Sequence, residues 1–233
     1  MNRNITNAIR FLMDECVPPI IRDSKWFMYP FYYFWFKGKD IKFYMNFKAL
    51  AYKMNNTEFE KVYREVDVRA NDRPADLNDQ SIEYMLNNIE DEKIKLADIG
   101  CGRGYWLQEV QKKKKNIELY GCDVFEQLDL PGITYVKGNI EKLPFKDKAF
   151  DIITCHHTIE HIQNLGPAIN ELKRIAKKKI MIATPCQRYY YYTLDLHLNF
   201  FPAQIHLPEV MRMRKNECKK ILGDWVYIGH LDT

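Results

Sequence analysis

The stretch LADIGCGRGYW, Leu96–Trp106, decides the fold. Leu96 to Ile99 read as a strand, and Gly100, Cys101, Gly102, Arg103 and Gly104 make the turn into an amphipathic run that starts at Tyr105. Glycines there let the backbone approach a ligand where a side chain would collide. Nicotinamide and flavin enzymes also use a glycine-rich turn from strand to helix. Here the spacing is G-x-G-x-G, and Tyr105 stands where a dinucleotide fingerprint wants its third glycine. Dinucleotide binding loses ground on that count.

Downstream of this turn, short apolar runs bounded by turn residues alternate with amphipathic stretches, the pattern of a mostly parallel sheet with helices on both faces. The pattern predicts strands at 95–99, 118–122, 133–137, 150–155 and 179–183. It predicts helices around 105–113 and 167–177, a later helix near 208–222 and a final strand at 225–228. Lys112 to Lys115 fall at the end of the first of these helices, where cations complement the helix dipole. Upstream, NNTEFEKVYR over 55–64 reads as a helix start capped by Asn56 or Thr57, and a second helix begins near Asp76. The polar, proline-interrupted segment 67–79 joins them as a loop. The chain thus divides into a helical, aromatic N-terminal cap over 1–80 and an α/β domain over 81–233, with a tyrosine-rich loop at 186–207.

At 233 residues, 46% hydrophobic and 28% charged, the chain can bury one sizeable core, and wholesale disorder is excluded. A net charge of +4 spread among 31 acids lacks the electrostatic footprint of a nucleic-acid binder and suits a small-molecule or glycan substrate, phosphorylated or not. Cys16, Cys101, Cys122, Cys155, Cys186 and Cys218 form no C-x-x-C pair, which reads as reduced thiols in a cytoplasmic protein. Asp14 and Glu15 interrupt the start where a signal peptide would stay apolar. The run WFMYPFYYFWF, Trp26 to Phe36, is too short to span a bilayer as a helix, which takes roughly 20 residues. The favoured reading is that it packs the cap onto the core. The other is an interfacial anchor, since aromatics flanked by Lys25, Lys37 and Lys39 also suit a membrane surface. Oligomeric state is open.

Two further features carry chemistry. Asp123 ends the second strand of the βαβ unit, where a carboxylate accepts hydrogen bonds from ribose hydroxyls. The third is GNIEKLPFKDKAFDIITCHHTIEHI, residues 138–162. The succession of DIGCGRG, the acid after the second strand, GNIEKLPF, FDIITCHHTIEHI and NELKRIAKKKIMIATP resembles the class I S-adenosylmethionine-dependent methyltransferases, especially their ubiquinone-biosynthesis-like domain. The resemblance covers about 95 residues. It implies a Rossmann-like α/β fold and S-adenosylmethionine as cofactor. By the same resemblance Asp98, Gly100, Cys101 and Gly102 surround the methionine part, and Asp123 and Val124 hold the ribose. Asn139 and Ile140 then recognise adenine, and His156 lines the cleft near the sulfonium. The family usually has an aspartate where Asn139 stands, and an amide can still bond the adenine amino group.

Methyl transfer needs an acceptor lone pair in line with the methyl–sulfur bond and shielded from water. A sugar hydroxyl also needs a base. The candidates are His156, His157 and His161 beside the fourth strand, and Asp195 and His197 after the fifth; His157 and His197 are preferred, and His161 is as suited to a structural role. No dedicated metal site is expected, Asp195 and His197 offering the nearest approach to one. The tyrosine-rich loop and the cap form the expected acceptor wall, or else the tyrosines pack the cap to the core. Arg73 and Arg188 are candidate phosphate clamps. Cys186 resembles the nucleophile of pyrimidine-C5 methyltransferases in position, but its surroundings do not match. The resulting expectation is O-methylation of a sugar, sugar phosphate or other small anionic intermediate, since cap and loop resemble methyltransferases of capsule and O-antigen pathways. The alternatives are RNA or protein methylation and a non-catalytic cofactor-binding scaffold.

Overall fold

The computed structural model describes residues 8–9, 11–67, 75–125 and 128–231. Arg73 and most of the expected 67–79 loop lie outside them. Seven strands form one sheet in the order β3-β2-β1-β4-β5-β7-β6. These are β1 Ile94–Ile99, β2 Ile117–Asp123, β3 Ile133–Lys137, β4 Phe150–His156, β5 Ala176–Pro185, β6 Lys215–Ile221 and β7 Asp224–His230. Strands β1 to β5 pair in parallel, and β7 runs antiparallel between β5 and β6. Central strands β1, β4 and β5 read as nearly unbroken apolar runs because helices cover both faces, and an apolar core lies on each side of the sheet. The helices are α1 Pro19–Arg22, α2 Lys25–Trp35, α3 Ile41–Met45, α4 Phe47–Ala51, α5 Asn56–Asp67, α6 Asp79–Asn87, α7 Tyr105–Lys113, α8 Leu165–Ile175 and α9 His206–Met211.

From β1 the chain steps outward to β2 and β3, then returns to β4 on the other side of β1. The crevice beyond the carboxyl ends of β1 and β4 is therefore the topological switch point, where ligands of open α/β sheets bind. The glycine turn follows β1 and the histidine pair follows β4 into this crevice.

Helices α2 to α5 form a third apolar core of their own, built on Met28, Tyr32, Phe36, Tyr44 and Phe47 and closed by Leu196 and Leu198 of the tyrosine-rich loop. Tyr32 donates to the carbonyl of Thr193 (2.9 Å) and Tyr63 to that of Leu196 (2.8 Å). Deep burial of the two hydroxyls makes such bonds necessary, because an unmet polar group there costs about 1–3 kcal/mol. Helix α5 is capped by Asn55, not by Asn56 or Thr57: Asn55 Oδ1 accepts from the Glu58 N–H and Glu58 Oε2 from the Asn55 N–H, both at 3.0 Å, a reciprocal capping box. Helix α6 starts at Asp79 rather than near Asp76, because Asn78 supplies the cap through the Ser81 N–H at 2.7 Å.

The segment expected to be a helix over 208–222 is instead a short helix and a strand. Helix α9 stops at Met211, where Arg212 turns left-handed (φ 45°), and β6 follows as the sheet's edge. Its lysines suggest helix by propensity, yet Lys215, Lys219 and Lys220 stay exposed on an edge strand, where charge discourages pairing with another chain. Leu222 (φ 45°) and Gly223 (φ 91°) make a two-residue hairpin with both positions at positive φ, the geometry that suits the sheet twist. The antiparallel partner of the last strand thus lies here. Residues 176–177, expected to finish a helix, already belong to β5. No helix among the described residues is long and apolar enough to cross a membrane.

Candidate active site

A cavity of about 350 Å³ opens at the switch point. Every residue to which the sequence resemblance assigns the cofactor lines it: Asp98, Gly100, Cys101, Gly102, Asp123, Val124, Asn139, Ile140 and His156. Its shape comes from the glycine turn. The Gly100 and Cys101 N–H groups both donate to the Cys122 carbonyl, tying the turn to β2, and Gly100, Gly102 and Gly104 all take positive φ. A Cβ on Gly100 would lie 2.2 Å from Thr158 Oγ1, whereas one on Gly102 meets nothing within 4 Å. Gly100 therefore serves packing, and Gly102 faces open space. Gly100→Ala is expected to lose most of its folded yield. Gly102→Ala should fold with a strain of about 1–2 kcal/mol from its left-handed backbone, and its thermal melt should show that modest loss beside a larger loss of ligand affinity by calorimetry.

Asp123 is fixed by two backbone donors. Its Oδ2 accepts from the Gly102 N–H (2.8 Å) and its Oδ1 from the Val124 N–H (2.7 Å).

Asp98 is buried at the end of a relay in which Trp106 Nε1–H donates to Thr154 Oγ1 (3.1 Å) and Thr154 donates to Asp98 Oδ1 (2.7 Å). Burial pushes the Asp98 carboxyl up to about 8, opposed by the Thr154 bond and reinforced by the Asp123 charge. An unfolded aspartate titrates near 3.9. The folded state therefore holds this proton more tightly, and its contribution to stability, complete below about pH 4, is lost as pH rises through about 8. Asp98→Asn removes the titration. The variant's melting temperature is expected to gain on the parent's across that window, and a constant difference from pH 4 to 8 would contradict the assignment.

His156 packs edge-on against Trp106 with ring centroids 5.1 Å apart. Neither of its ring nitrogens has a hydrogen-bond partner among the described residues, and burial, with the His157 charge, lowers it to about 3. It is a neutral imidazole in the cavity wall.

The preferred bases stand differently from expectation. His157 lies between two buried carboxylates, with Nδ1 3.4 Å from Glu160 and Nε2 3.4 Å from Asp224. Burial opposes its charge, yet the Asp224 and Glu160 carboxylates raise it to about 10. Glu160 is in turn lowered to about 2: burial raises it, and the His157 bond with the charges of His161, His157 and His197 outweighs that. His157 is an imidazolium at neutral pH and cannot act as a base, which corrects that assignment. His197 and Asp195 do not line the cavity. The His197 ring is buried, with Nδ1 2.6 Å from Gln187 Oε1 and 3.4 Å from Asp195, and it meets His161 edge-on at 4.7 Å. His161 does line the cavity, between His197 and Tyr63.

Glu160, His161 and His197 each bring one ligand atom within 4.8 Å of the others, so this set, rather than Asp195 with His197, could hold a metal ion. The tyrosine-rich loop does not line the cavity but packs on the N-terminal helices, and the wall facing the glycine turn comes from Phe59, Glu60 and Tyr63 of α5. Sequence reading missed these three because only the fold brings α5 across. The Asn139 side chain donates to Glu60 Oε1 (3.2 Å) and accepts from the Glu141 N–H (2.9 Å), so its amide is already engaged. Arg188 pairs with Glu15 at 2.8 Å and lies outside the residues lining the cavity. Cys186 lies outside the cavity, its sulfur beside the Pro202 carbonyl.

The strand order with one antiparallel member, the glycine turn after β1 and the carboxylate after β2 define the class I S-adenosylmethionine-dependent methyltransferase architecture. Residues 97–183 match the family described as methyltransferase domain. It is 27% identical over 137 residues to an uncharacterized methyltransferase, YcgJ, of Bacillus subtilis, covering 53% of this chain and 51% of that protein. It is 27% identical over 128 residues to a ubiquinone biosynthesis O-methyltransferase of Rickettsia prowazekii, covering 48% of this chain and 50% of that protein. The chain spans about half the length of these curated relatives. Its fold is similar to that of a SAM-dependent methyltransferase from Aquifex aeolicus, with a TM-score of 0.53 and 17% identity over 76% of this chain and 98% of that one.

S-adenosylmethionine is the cofactor of this domain class. The cavity suits it: the carboxyls of Asp98 and Asp123 line it, and Gly102 leaves room for close approach.

Proposed function

We propose that this chain methylates a hydroxyl oxygen of a small acceptor in the cavity, and that the acceptor is a sugar or related intermediate of bacterial capsule or glycan biosynthesis. The observation that carries the oxygen-transfer reading is the placement of His161 on the wall of the same cavity as Asp98, Gly102 and Asp123. S-adenosylmethionine supplies an electrophilic methyl group when bound. Asp123 would hold the ribose, Asp98 and the glycine turn the methionine portion, and the backbone at Asn139 and Ile140 the adenine edge, since the Asn139 amide is engaged locally.

Glu60, Asp76, Asp123 and Glu141 outnumber the cations Arg103 and His157 around the cavity, a balance that suits a neutral hydroxyl better than a phosphate. A sugar hydroxyl keeps its proton at neutral pH, so a base must take it as the carbon–oxygen bond forms. His161 lines the cavity with Glu160 and His197 behind it to orient the ring and stabilise the positive charge it acquires, whereas His156 on the same wall, pushed down to about 3 by burial, is too weak a base to hold the proton. Similarity to a ubiquinone biosynthesis O-methyltransferase supports oxygen as the accepting atom. The test is incubation with methyl-labelled S-adenosylmethionine and a panel of sugars, sugar nucleotides, phosphorylated sugars, RNA and protein. Label on a sugar hydroxyl supports the reading, and label confined to RNA or protein overturns it.

A further inference from the structure

Helix α2 has more apolar surface than the N-terminal core uses. Met28, Tyr32 and the following Phe36, spaced four apart, are buried against that core. The remaining faces show Trp26 (87% exposed) and Phe34 (79%), with Tyr29, Phe31, Tyr33 and Trp35 about half exposed. Ile20 of α1 is 85% exposed, and Phe11 and Leu12 just before it also face outward. A single exposed apolar side chain needs no explanation, but this many on consecutive elements mark an interaction surface.

We infer that this surface docks on an anionic phospholipid bilayer, with α2 lying in the interface plane. The composition suits the lipid boundary, where tryptophan and tyrosine rings sit at headgroup level above a shallow apolar layer. Charge selects the occupant. Lys25, Lys37, Lys39 and Lys42, flanking or following α2 in the chain, are exposed, whereas of the exposed acids over residues 11–42 Glu15 is paired with Arg188, leaving Asp40. Anionic headgroups complement those lysines. A second copy docked through the same face by a two-fold axis would bring the lysines of both chains together. At 11 residues, about 16 Å of helix, α2 can lie on a leaflet but not cross it. Helix α5, which walls the cavity, packs in the same N-terminal core, so docking sets the cavity close to the membrane surface.

The test is co-sedimentation of the full chain with phosphatidylcholine vesicles containing one quarter phosphatidylglycerol, and with pure phosphatidylcholine. Binding is expected to favour the anionic vesicles and to weaken with salt. Trp26→Ser/Phe34→Ser should reduce it by about tenfold or more, with an unchanged melting temperature because both side chains are outside the core. Lys37→Glu/Lys39→Glu should lower binding to anionic vesicles alone. Failure of the parent to sediment with either vesicle overturns the inference, as does parent-like binding by both variants. Self-association in the absence of lipid, abolished by the aromatic variant, also overturns it in favour of a second copy.

Discussion

Asp123→Ala is expected to weaken S-adenosylmethionine binding by about a hundredfold. Two hydrogen bonds from ribose hydroxyls to an ionised carboxylate are worth about 1.5 kcal/mol or more each, and about 2.7 kcal/mol is that factor in affinity. The carboxylate also holds the Gly102 and Val124 N–H groups, so its removal loosens the turn. Asp123→Asn, which keeps one carbonyl acceptor, should fall between the parent and the alanine variant. Isothermal titration measures both. Parent-like affinity in the alanine variant would move the ribose elsewhere in the cavity.

The second large effect concerns turnover. His161→Ala is expected to lower the rate of transfer to a hydroxyl acceptor by about 10²–10⁴-fold, the range for loss of a positioned base, while cofactor affinity stays within a few-fold of the parent. His157→Gln, in contrast, should act mainly on stability. It removes the cation between Glu160 and Asp224 and leaves two buried carboxylates without their counter-charge. Chelation distinguishes a base from a metal ligand at Glu160, His161 and His197. Dialysis against EDTA is expected to leave the rate unchanged, and a loss restored by a divalent ion would reassign the three side chains.

Much of this architecture is legible in the sequence because β1, β2, β4 and β5 are largely buried strands that end at turn residues. Strand β3 at Ile133–Lys137 and helix α7 at Tyr105–Lys113 fall where the pattern places them. The edge strand β6 is not legible in the same way. One face of KNECKKI is solvent, its lysines favour helix in isolation, and only pairing with β7 through the Leu222–Gly223 turn holds it extended. That hairpin carried a signal in Gly223, outweighed by the surrounding charges.

The cofactor pocket follows the same logic. Asp98, Gly102 and Asp123 sit within one βαβ unit, so local spacing fixes their neighbourhood. The acceptor side does not. His157 and His161 lie four residues apart on one turn, yet Asp224, which keeps His157 protonated, comes from the antiparallel strand near the end of the chain. Sequence reading finds the histidines but not the carboxylates that hold His157. Glu60 and Tyr63 reach the cavity from the N-terminal helices, equally far from it in the chain. The tyrosine-rich loop attracts an acceptor reading by composition, and its tyrosines and leucines instead hold the cap, as the Tyr32 and Tyr63 bonds to its carbonyls show.

The most direct test of the central claim is calorimetric titration of the full chain with S-adenosylmethionine and S-adenosylhomocysteine, using NAD as control. The account predicts saturable one-site binding of the first two, weakened in Asp123→Ala and Gly102→Ala, and none of NAD. Absence of binding by both sulfur ligands, or binding that neither substitution alters, would contradict it.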